Sequence, residues 1–275
     1  MHRRVLALWL VSSLLLWATP SRAVDPFEIQ VYDGTANAPG SPGLEQHLNY
    51  VASGRRQVTD PPELSSAHQT HWTLEPSFGV LPFWELGGYF QTSLRPDGTF
   101  DYAGVKVRSK FVTPPSWDEH VRLGVNLELS LLPEHYDRDR WATEIRPIVA
   151  WENASWLFVA NPIIDMSLAG GGWSDGPTFQ PATMALYKVG TVASFGLEYY
   201  GNFGPLSGFV PLRSQEHYIY EVANLLAISH FELNAGVGEG LTDGSNALVV
   251  KLIVGYVWER EPAAPMGPSE AMHAK

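Results

Sequence analysis

The sequence VRLGVNLELSL, residues 121–131, alternates between apolar and polar or small side chains at every position. Successive side chains of a β-strand point to opposite faces of the sheet. Val125 and Leu127 therefore lie on a wholly apolar face, and Glu128 lies on the opposite, polar face. The length of the segment suits a tilted strand that crosses the hydrocarbon layer of a membrane.

The same alternation recurs along the chain, so that twelve segments in all are predicted to be strands. Besides 121–131 they are residues 44–50, 72–80, 84–92, 102–111, 141–152, 156–168, 179–189, 192–200, 216–227, 231–238 and 248–258. A soluble β-sandwich shows the same alternation, usually in shorter strands. The predicted fold class is all-β: an antiparallel transmembrane up-and-down β-barrel of about 12 strands.

The links between the predicted strands support the barrel, because their length follows their parity. The odd-numbered links are long, and they are residues 54–70, 93–100, 132–140, 169–178, 202–215 and 240–245. Most even-numbered links are short: 81–82, 153–154, 190–191 and 229–230, with 113–119 as the exception. Outer-membrane barrels have short periplasmic turns and longer external loops. A sandwich has no reason to sort its links in this way.

The N-terminus has the order of a secretory signal. Arg3 and Arg4 precede an apolar run over residues 5–18, and small residues surround Arg22. An uncleaved membrane anchor is the alternative, but the run is short for a helical span. We predict a signal peptide over 1–23, an N-terminal segment over 24–43, a barrel over 44–258 and a disordered tail over 259–275. Residues 24–43 either plug the lumen or lie at the periplasmic rim.

The composition narrows the classes of function. The chain has 18 Lys and Arg against 29 Asp and Glu, for a formal net charge of -11, and it has no Cys. The basic patch that binds nucleic acid is therefore not expected. Disulfides and Cys-based zinc sites are excluded, and no H-x-x-x-H or calcium-loop pattern predicts a metal. No cofactor is predicted.

Aromatic residues lie near both ends of the predicted strands. Those beside the expected periplasmic ends are Phe83, Trp84, Trp151, Trp156 and Trp258, and those near the opposite ends are Trp72 and Trp141. Two aromatic girdles are typical of barrels that span the outer membrane. Bulky aromatic residues also favour strands in general, but these positions favour the girdle interpretation.

The face opposite the apolar one collects the ionised side chains, which are predicted to line the lumen. They are Glu45, His47, Asn49, Glu75, Glu85, Lys106, Arg108, Lys110, Arg122, Glu128, Glu144, Arg146, Glu198, Glu232 and Lys251. These groups either bias which solutes pass or pair with one another and close the lumen. For the ladder formed by Lys106, Arg108 and Lys110 we favour neutralisation by nearby carboxylates. Twelve strands lie between a filled barrel and an open channel.

One residue, His47, raises the alternative of a lipid-modifying enzyme. Acyl hydrolases use a His with a Ser and a third orienting group. The alternation points His47 into the lumen, away from lipid, and the sequence has no G-x-S-x-G motif. A histidine whose hydrogen bonds are satisfied within the lumen is the favoured interpretation.

Four segments carry a family resemblance: FEIQVYDGTANAPG (27–40), LEQHLNY (44–50), GLEYYGNFGPL (196–206) and GVGEGLTDGSN (236–246). They resemble a family of bacterial outer-membrane barrels described as transporter-like or as phenol-degradation meta-pathway barrel proteins. The resemblance implies an outer-membrane barrel and, through the family's description alone, aromatic solutes. Such barrels commonly end on an aromatic residue that is read during assembly. Tyr256 and Trp258 fit this pattern, but a polar tail follows them.

The expected function is a small channel or passive transporter in the bacterial outer membrane, for small solutes that include aromatic ones. Its expected partners are outer-membrane lipid, the barrel-assembly machinery and a small-molecule solute. No catalytic residue is predicted. The alternatives are a lipid-modifying enzyme of the outer membrane and a closed structural or adhesive barrel whose loops bind a partner.

Overall fold

The computed structural model describes residues 24–56, 63–114, 116–170 and 172–259. The signal peptide predicted over residues 1–23 and all but the first residue of the predicted tail lie outside the described residues. Within them, no helix has the length and apolar character needed to cross a membrane.

Fifteen strand segments pair antiparallel in one sheet that closes on itself. They are β1 (Pro42–Arg55), β2 (Thr70–Leu81), β3 (Trp84–Leu94), β4 (Phe100–Val112), β5 (Val121–Leu131), β6 (Trp141–Glu152), β7 (Trp156–Asn161), β8 (Ile164–Ala169), β9 (Thr178–Phe179), β10 (Ala182–Val189), β11 (Ala193–Asn202), β12 (Gly204–Pro205), β13 (Glu216–Leu225), β14 (Phe231–Gly240) and β15 (Asn246–Val257). β1 pairs with β15, and β6 pairs with both β7 and β8. No sheet edge is left along the barrel wall.

Two of the twelve predicted strands, 156–168 and 179–189, are each divided into two segments, and the strand predicted over 192–200 is followed by the short segment β12. Pro162 lies between β7 and β8, and Pro181 lies between β9 and β10. Proline has no N–H to donate to the ladder, which explains both interruptions. Gly204, at the start of β12, has a φ of +87°, in the left-handed region that favours glycine. When β7 and β8, β9 and β10, and β11 and β12 are each counted as one strand, the structure is the predicted closed antiparallel barrel of 12 strands.

The two rims of the barrel differ in their connections. One rim, here called the turn side, has the links 82–83, 113–120, 153–155, 190–192 and 226–230. The other rim, here called the loop side, has the links 56–69, 95–99, 132–140, 170–177, 206–215 and 241–245. β1 begins and β15 ends on the turn side. This is the sorting of links that the sequence predicts.

Apolar side chains cover the outside of the barrel, and polar ones fill its inside. The outward-facing Leu127, Leu197 and Val250 are 42%, 50% and 41% exposed, whereas the inward-facing Asn126 and Lys251 are 0% and 1% exposed. A water-soluble fold shows the opposite arrangement, since burial of apolar surface drives its folding. The alternation read from the sequence has therefore placed the apolar face outwards.

Large aromatic side chains lie on this outer surface toward both rims. Phe83, Trp156 and Trp258 are exposed near the turn side, and Trp72 and Trp141 are exposed near the loop side. Such amphipathic rings suit the interface between headgroups and acyl chains. The positions agree with two girdles.

The N-terminal segment (residues 24–41) lies inside the cylinder. Ile29 and Val31 of this segment belong to a buried apolar cluster with inward-facing residues of the wall, among them Leu157, Leu186 and Val222. This cluster is the apolar core of the molecule. It lies between the segment and the wall built from β7, β10 and β13.

A glycine lets the segment pass closely over the wall before β1 begins. The amide of Gly40 donates to the carbonyl of Gly79 at 2.7 Å, and the amide of Gly79 donates to the carbonyl of Ser41 at 3.0 Å. A Cβ atom at Gly79 would lie 2.2 Å from the carbonyl oxygen of Ala38, closer than packing permits. Residue 79 must therefore be glycine for this contact to form.

Candidate functional site

The side chains predicted to line the lumen all lie on the inward faces of the strands. Most of them are buried: His47, Asn49, Glu75, Glu85, Lys106, Arg108, Glu128, Arg146, Glu198 and Lys251. Glu45, Lys110, Arg122 and Glu144 are partly buried, and Glu232 is exposed to the turn-side opening of the lumen. Twelve of them form four sets with different surroundings. The other three have separate contacts: Asn49 donates to the carbonyl of Pro26, Arg122 pairs with Glu152, and Glu128 accepts from Asn126 Nδ2.

The first set contains two cations of the basic ladder, Arg108 and Lys110, and two carboxylates of the wall. Arg108 Nε donates to Glu75 Oε1 at 2.7 Å, and Arg108 Nη1 lies 2.7 Å from Glu85 Oε1. Lys110 Nζ lies 2.9 Å from the same oxygen of Glu85. Gly87, directly opposite Arg108, leaves room for the guanidinium group. These two cations are neutralised within the wall itself.

The second set joins the wall to the N-terminal segment. Lys106 Nζ lies 2.5 Å from Asp25 Oδ2 and 3.0 Å from Glu28 Oε2. Arg146 Nη2 lies 3.2 Å from Glu28 Oε1, and its Nε donates to Glu144 at 2.6 Å. Lys106 and Arg146 thus bind one carboxylate of the segment between them. Because the ions are buried, each needs such a partner.

The third set surrounds Lys251, which is 1% exposed. Its Nζ pairs with Glu198 and donates to the carbonyl of Ile29 at 3.0 Å. The same ammonium group lies 5.7 Å from the ring centres of Tyr200 and Tyr220, within the range of a cation–π contact. This set also ties the wall to the segment.

The fourth set lies on β1, β2 and β14. His47 Nε2 is 2.9 Å from Glu75 Oε2 and 3.7 Å from Glu45 Oε2. Glu45 lies opposite Glu75 on one side, and Gly255 lies between Glu45 and Glu232 on the other. Three carboxylates thus share one transverse row of the barrel. Among the described residues, no cationic side chain lies within 4.0 Å of Glu232.

The sequence did not single out Tyr32, which contacts the wall through both its backbone and its side chain. Its amide donates to Asn161 Oδ1 at 2.8 Å, and its carbonyl accepts from Asn161 Nδ2 at 3.0 Å. Its ring lies 4.4 Å from the guanidinium carbon of Arg146, and its hydroxyl contacts Tyr89 and Glu28. Residues 24–41 have no strand periodicity, so no sequence pattern identifies these contacts.

The N-terminal segment separates two cavities in the lumen. The turn-side cavity has a volume of about 660 Å³, and its lining includes Tyr32, Glu45, Glu232, Leu186 and Ile253. The loop-side cavity has a volume of about 90 Å³, and its lining includes Asp25, Phe27, Lys106 and Glu128. The larger cavity combines an apolar wall with carboxylates, and it can hold a small organic molecule or a hydrated ion.

The histidine that suggested an enzyme has no nucleophile beside it. His47 is 0% exposed, and its side-chain hydrogen bond is with Glu75. Among the described residues, no serine hydroxyl hydrogen-bonds to His47. A Ser–His pair requires such contact, so the arrangement does not support acyl transfer.

Comparison with known proteins gives similarity of fold. No family model and no curated protein matches the chain. An outer membrane channel from Pseudomonas putida F1 aligns with a TM-score of 0.58 at 13% identity, covering 84% of this chain and 100% of that one. The KdgM porin aligns at 0.52 and 8% identity, covering 79% and 99%. The NanC porin aligns at 0.50 and 9% identity, covering 80% and 100%. The chain therefore has the fold of bacterial outer-membrane channels.

Proposed function

We propose that this protein is a channel of the bacterial outer membrane through which small solutes pass passively. The observation that carries the proposal is the closed cylinder with leucine and valine on its outside and ionised groups within. Closure pairs β1 with β15, so that the first and last strands hydrogen-bond within the wall as a membrane-spanning sheet requires. The similar solved structures are channels and porins rather than enzymes, which is consistent with this function.

In this proposal the turn side faces the periplasm and the loop side faces the exterior. Short periplasmic turns and longer external loops are the rule for such barrels. The outer surface contacts lipid. Tyr256, in β15, and Trp258, directly after its end, are the aromatic residues that we assign to recognition by the assembly machinery.

The proposed resting state is narrow, because the N-terminal segment lies across the lumen. Glu28, Tyr32 and Asp25 bind wall residues from β4, β6 and β7. A solute larger than water must therefore displace part of the segment or pass beside it. The filled lumen is also the observation that favours the second candidate, a closed structural barrel.

The lining of the turn-side cavity supports a small molecule as the solute. It also supports a preference for cations over anions. The cavity is lined by Asp33, Glu45, Glu75, Glu152, Glu198 and Glu232 against Arg108, Lys110, Lys188 and Lys251. An excess of carboxylates attracts cations. Its apolar wall, which includes Leu186 and Phe231, is compatible with the aromatic solutes that the family resemblance implies.

Planar-bilayer recording of the refolded protein tests the proposal. We expect steady currents, with a reversal potential in a salt gradient that indicates preference for cations. The preference should weaken as ionic strength rises, because salt screens the carboxylates. Persistent absence of current from protein that has inserted into the bilayer would favour the closed barrel instead.

A further inference from the structure

The fourth set of lumen residues has donor atoms suited to a metal ion. The ligand atoms of Glu45, His47 and Glu75 all lie within 4.8 Å of one another. Glu45 and His47 are two positions apart on β1, so both point inward, and Glu75 lies directly opposite Glu45 on β2. One imidazole nitrogen with carboxylate oxygens is a donor set used for Zn²⁺ and other divalent transition metals.

Of the two ring nitrogens of His47, only one has a hydrogen-bond partner among the described residues. Nε2 of His47 is directed at the carboxylates, whereas the buried Nδ1 has no hydrogen-bond partner among the described protein atoms. A buried imidazole with a purely structural role is expected to have partners at both nitrogens. His47 therefore differs from the satisfied histidine that the sequence predicted, and Nε2 is the ring nitrogen that faces the two carboxylates.

The negative charge at this position exceeds what the wall compensates. Arg108 occupies the Oε1 atom of Glu75, and the Oε2 atom remains directed at His47. Glu45 accepts a hydrogen bond from the neutral amide of Gln30 at 3.1 Å. Together with Glu232, which has no ion pair within the described residues, Glu45 leaves two carboxylates for a cation to neutralise.

Space and access are also present. A Cβ atom at Gly255 would lie 2.8 Å from Cγ of Glu45 and 3.6 Å from Oε2 of Glu232, so a larger residue there would fill the gap between the two carboxylates. Glu45, Glu75 and Glu232 all line the turn-side cavity of about 660 Å³. A hydrated ion can therefore reach the cluster from the turn side.

We propose that Glu45, His47 and Glu75 form a divalent-metal site in the lumen, with Glu232 as an additional carboxylate ligand and Zn²⁺ as the expected type of ion. His47 would coordinate through Nε2 as a neutral imidazole that carries its proton on Nδ1, so that a doubly protonated ring releases its Nε2 proton to solvent when the metal binds. Arg108 remains on the other oxygen of Glu75 and orients it, as partners of metal-binding carboxylates do. Gln30, which contacts Glu45, couples the site to the N-terminal segment.

Titration of the metal-free full-length protein in detergent tests this site, with Zn²⁺ as the probe in calorimetry and Co²⁺ in visible absorption. We expect one site whose Co²⁺ spectrum indicates mixed nitrogen and oxygen ligands. Because loss of a partner behind a ligand costs up to about a hundredfold in affinity, His47→Ala should weaken binding by at least that factor. Glu232→Gln, a substitution that keeps the shape of an exposed side chain, should weaken it by about tenfold.

His71→Ala is the matched control, because His71 is also buried and inward-facing but lies on the loop-side part of β2. It should leave the site unchanged. Equal Zn²⁺ affinity in the wild type and in both His47→Ala and Glu232→Gln would overturn the proposal, as binding would then belong to other histidines. The metal site and the channel function are tested separately. Metal binding by a protein that gives no current would refute only the channel function. Current from a protein that does not bind metal at this site would refute only the proposed metal site.

Discussion

Lys251 shows how a single ionised side chain is kept inside this barrel. It is buried at the centre of β15, and it pairs with Glu198 of β11 and with the backbone of the N-terminal segment. A buried ion without a partner loses its hydration and gains nothing in exchange. The alternation on β15 predicts that Lys251 points inward, but the identity of its partner depends on how β11 and the segment are arranged around it.

Replacing Glu198 by Ala should strongly destabilise the protein, because Lys251 would lose its carboxylate. We expect the free energy of unfolding to fall by about 3–5 kcal/mol, the usual cost of breaking a buried ion pair on one side. Urea titration of the protein in detergent micelles measures it. Glu119→Ala is the control: Glu119 is 86% exposed, and its loss should change stability by less than about 0.5 kcal/mol. Equal effects of the two substitutions would contradict the assigned role of the pair.

At the scale of elements, the N-terminal segment is an irregular chain held inside regular strands. The amide and carbonyl of Tyr32 bind the side chain of Asn161 instead of a neighbouring strand. Asn161 Oδ1 accepts from the amide, and Asn161 Nδ2 donates to the carbonyl. Asn161 is the last residue of β7, directly before Pro162, which separates β7 from β8. The interruption and the attachment of the segment therefore occur at the same place on the wall.

Asn161→Ala should loosen the segment and raise the conductance. The substitution removes two buried hydrogen bonds, each worth about 1 kcal/mol, which corresponds to a population of displaced segment about tenfold larger or more. Single-channel recording measures the open fraction. Asn224→Ala is the control, since Asn224 bonds to Ser194 and Asn234 of the wall and not to the segment. If both variants conduct like the wild type, the segment does not limit passage.

At the scale of the whole molecule, the barrel is turned inside out relative to a soluble protein. Its wall presents leucine, valine and aromatic residues outward, and its interior combines a network of ion pairs with the apolar cluster beside the N-terminal segment. Among the described strand residues, two outward-facing carboxylates depart from this pattern: Glu221 on β13 is exposed between Leu197 and Val237, and Glu239 on β14 is exposed between Ile219 and Leu248. Nothing in the structure explains these two carboxylates.

A charge placed on the outer face tests whether that face meets lipid. Leu127→Arg, in the middle of β5, should reduce the free energy of folding into lipid vesicles by about 2–4 kcal/mol, the cost of an arginine near the middle of the bilayer. Leu241→Arg, on an exposed loop, should cost about 0–1 kcal/mol. Both are measured by urea titration of vesicle-inserted protein. A similar, small cost for both would mean that the outer face of β5 is surrounded by water.

The sequence by itself determined the class of fold and the direction of the faces of the clearly alternating strands, such as 121–131 and 248–258. A period of two is a local property, since each side chain's direction follows from the one before it. The parity of link lengths then determined which rim holds the turns. The inward direction of Glu45, Lys106 and Glu232 could be predicted for this reason alone.

Only the tertiary structure decided which of the inward groups meet. Glu45 and Glu75 are opposite each other because of the register of β1 and β2, and Glu232 joins them across β15 because the barrel closes. Register and closure depend on pairing between distant parts of the chain, which no local pattern encodes. The position of residues 24–41 was left open for the same reason: an irregular segment has no period, and its place is set by the wall residues that bind it.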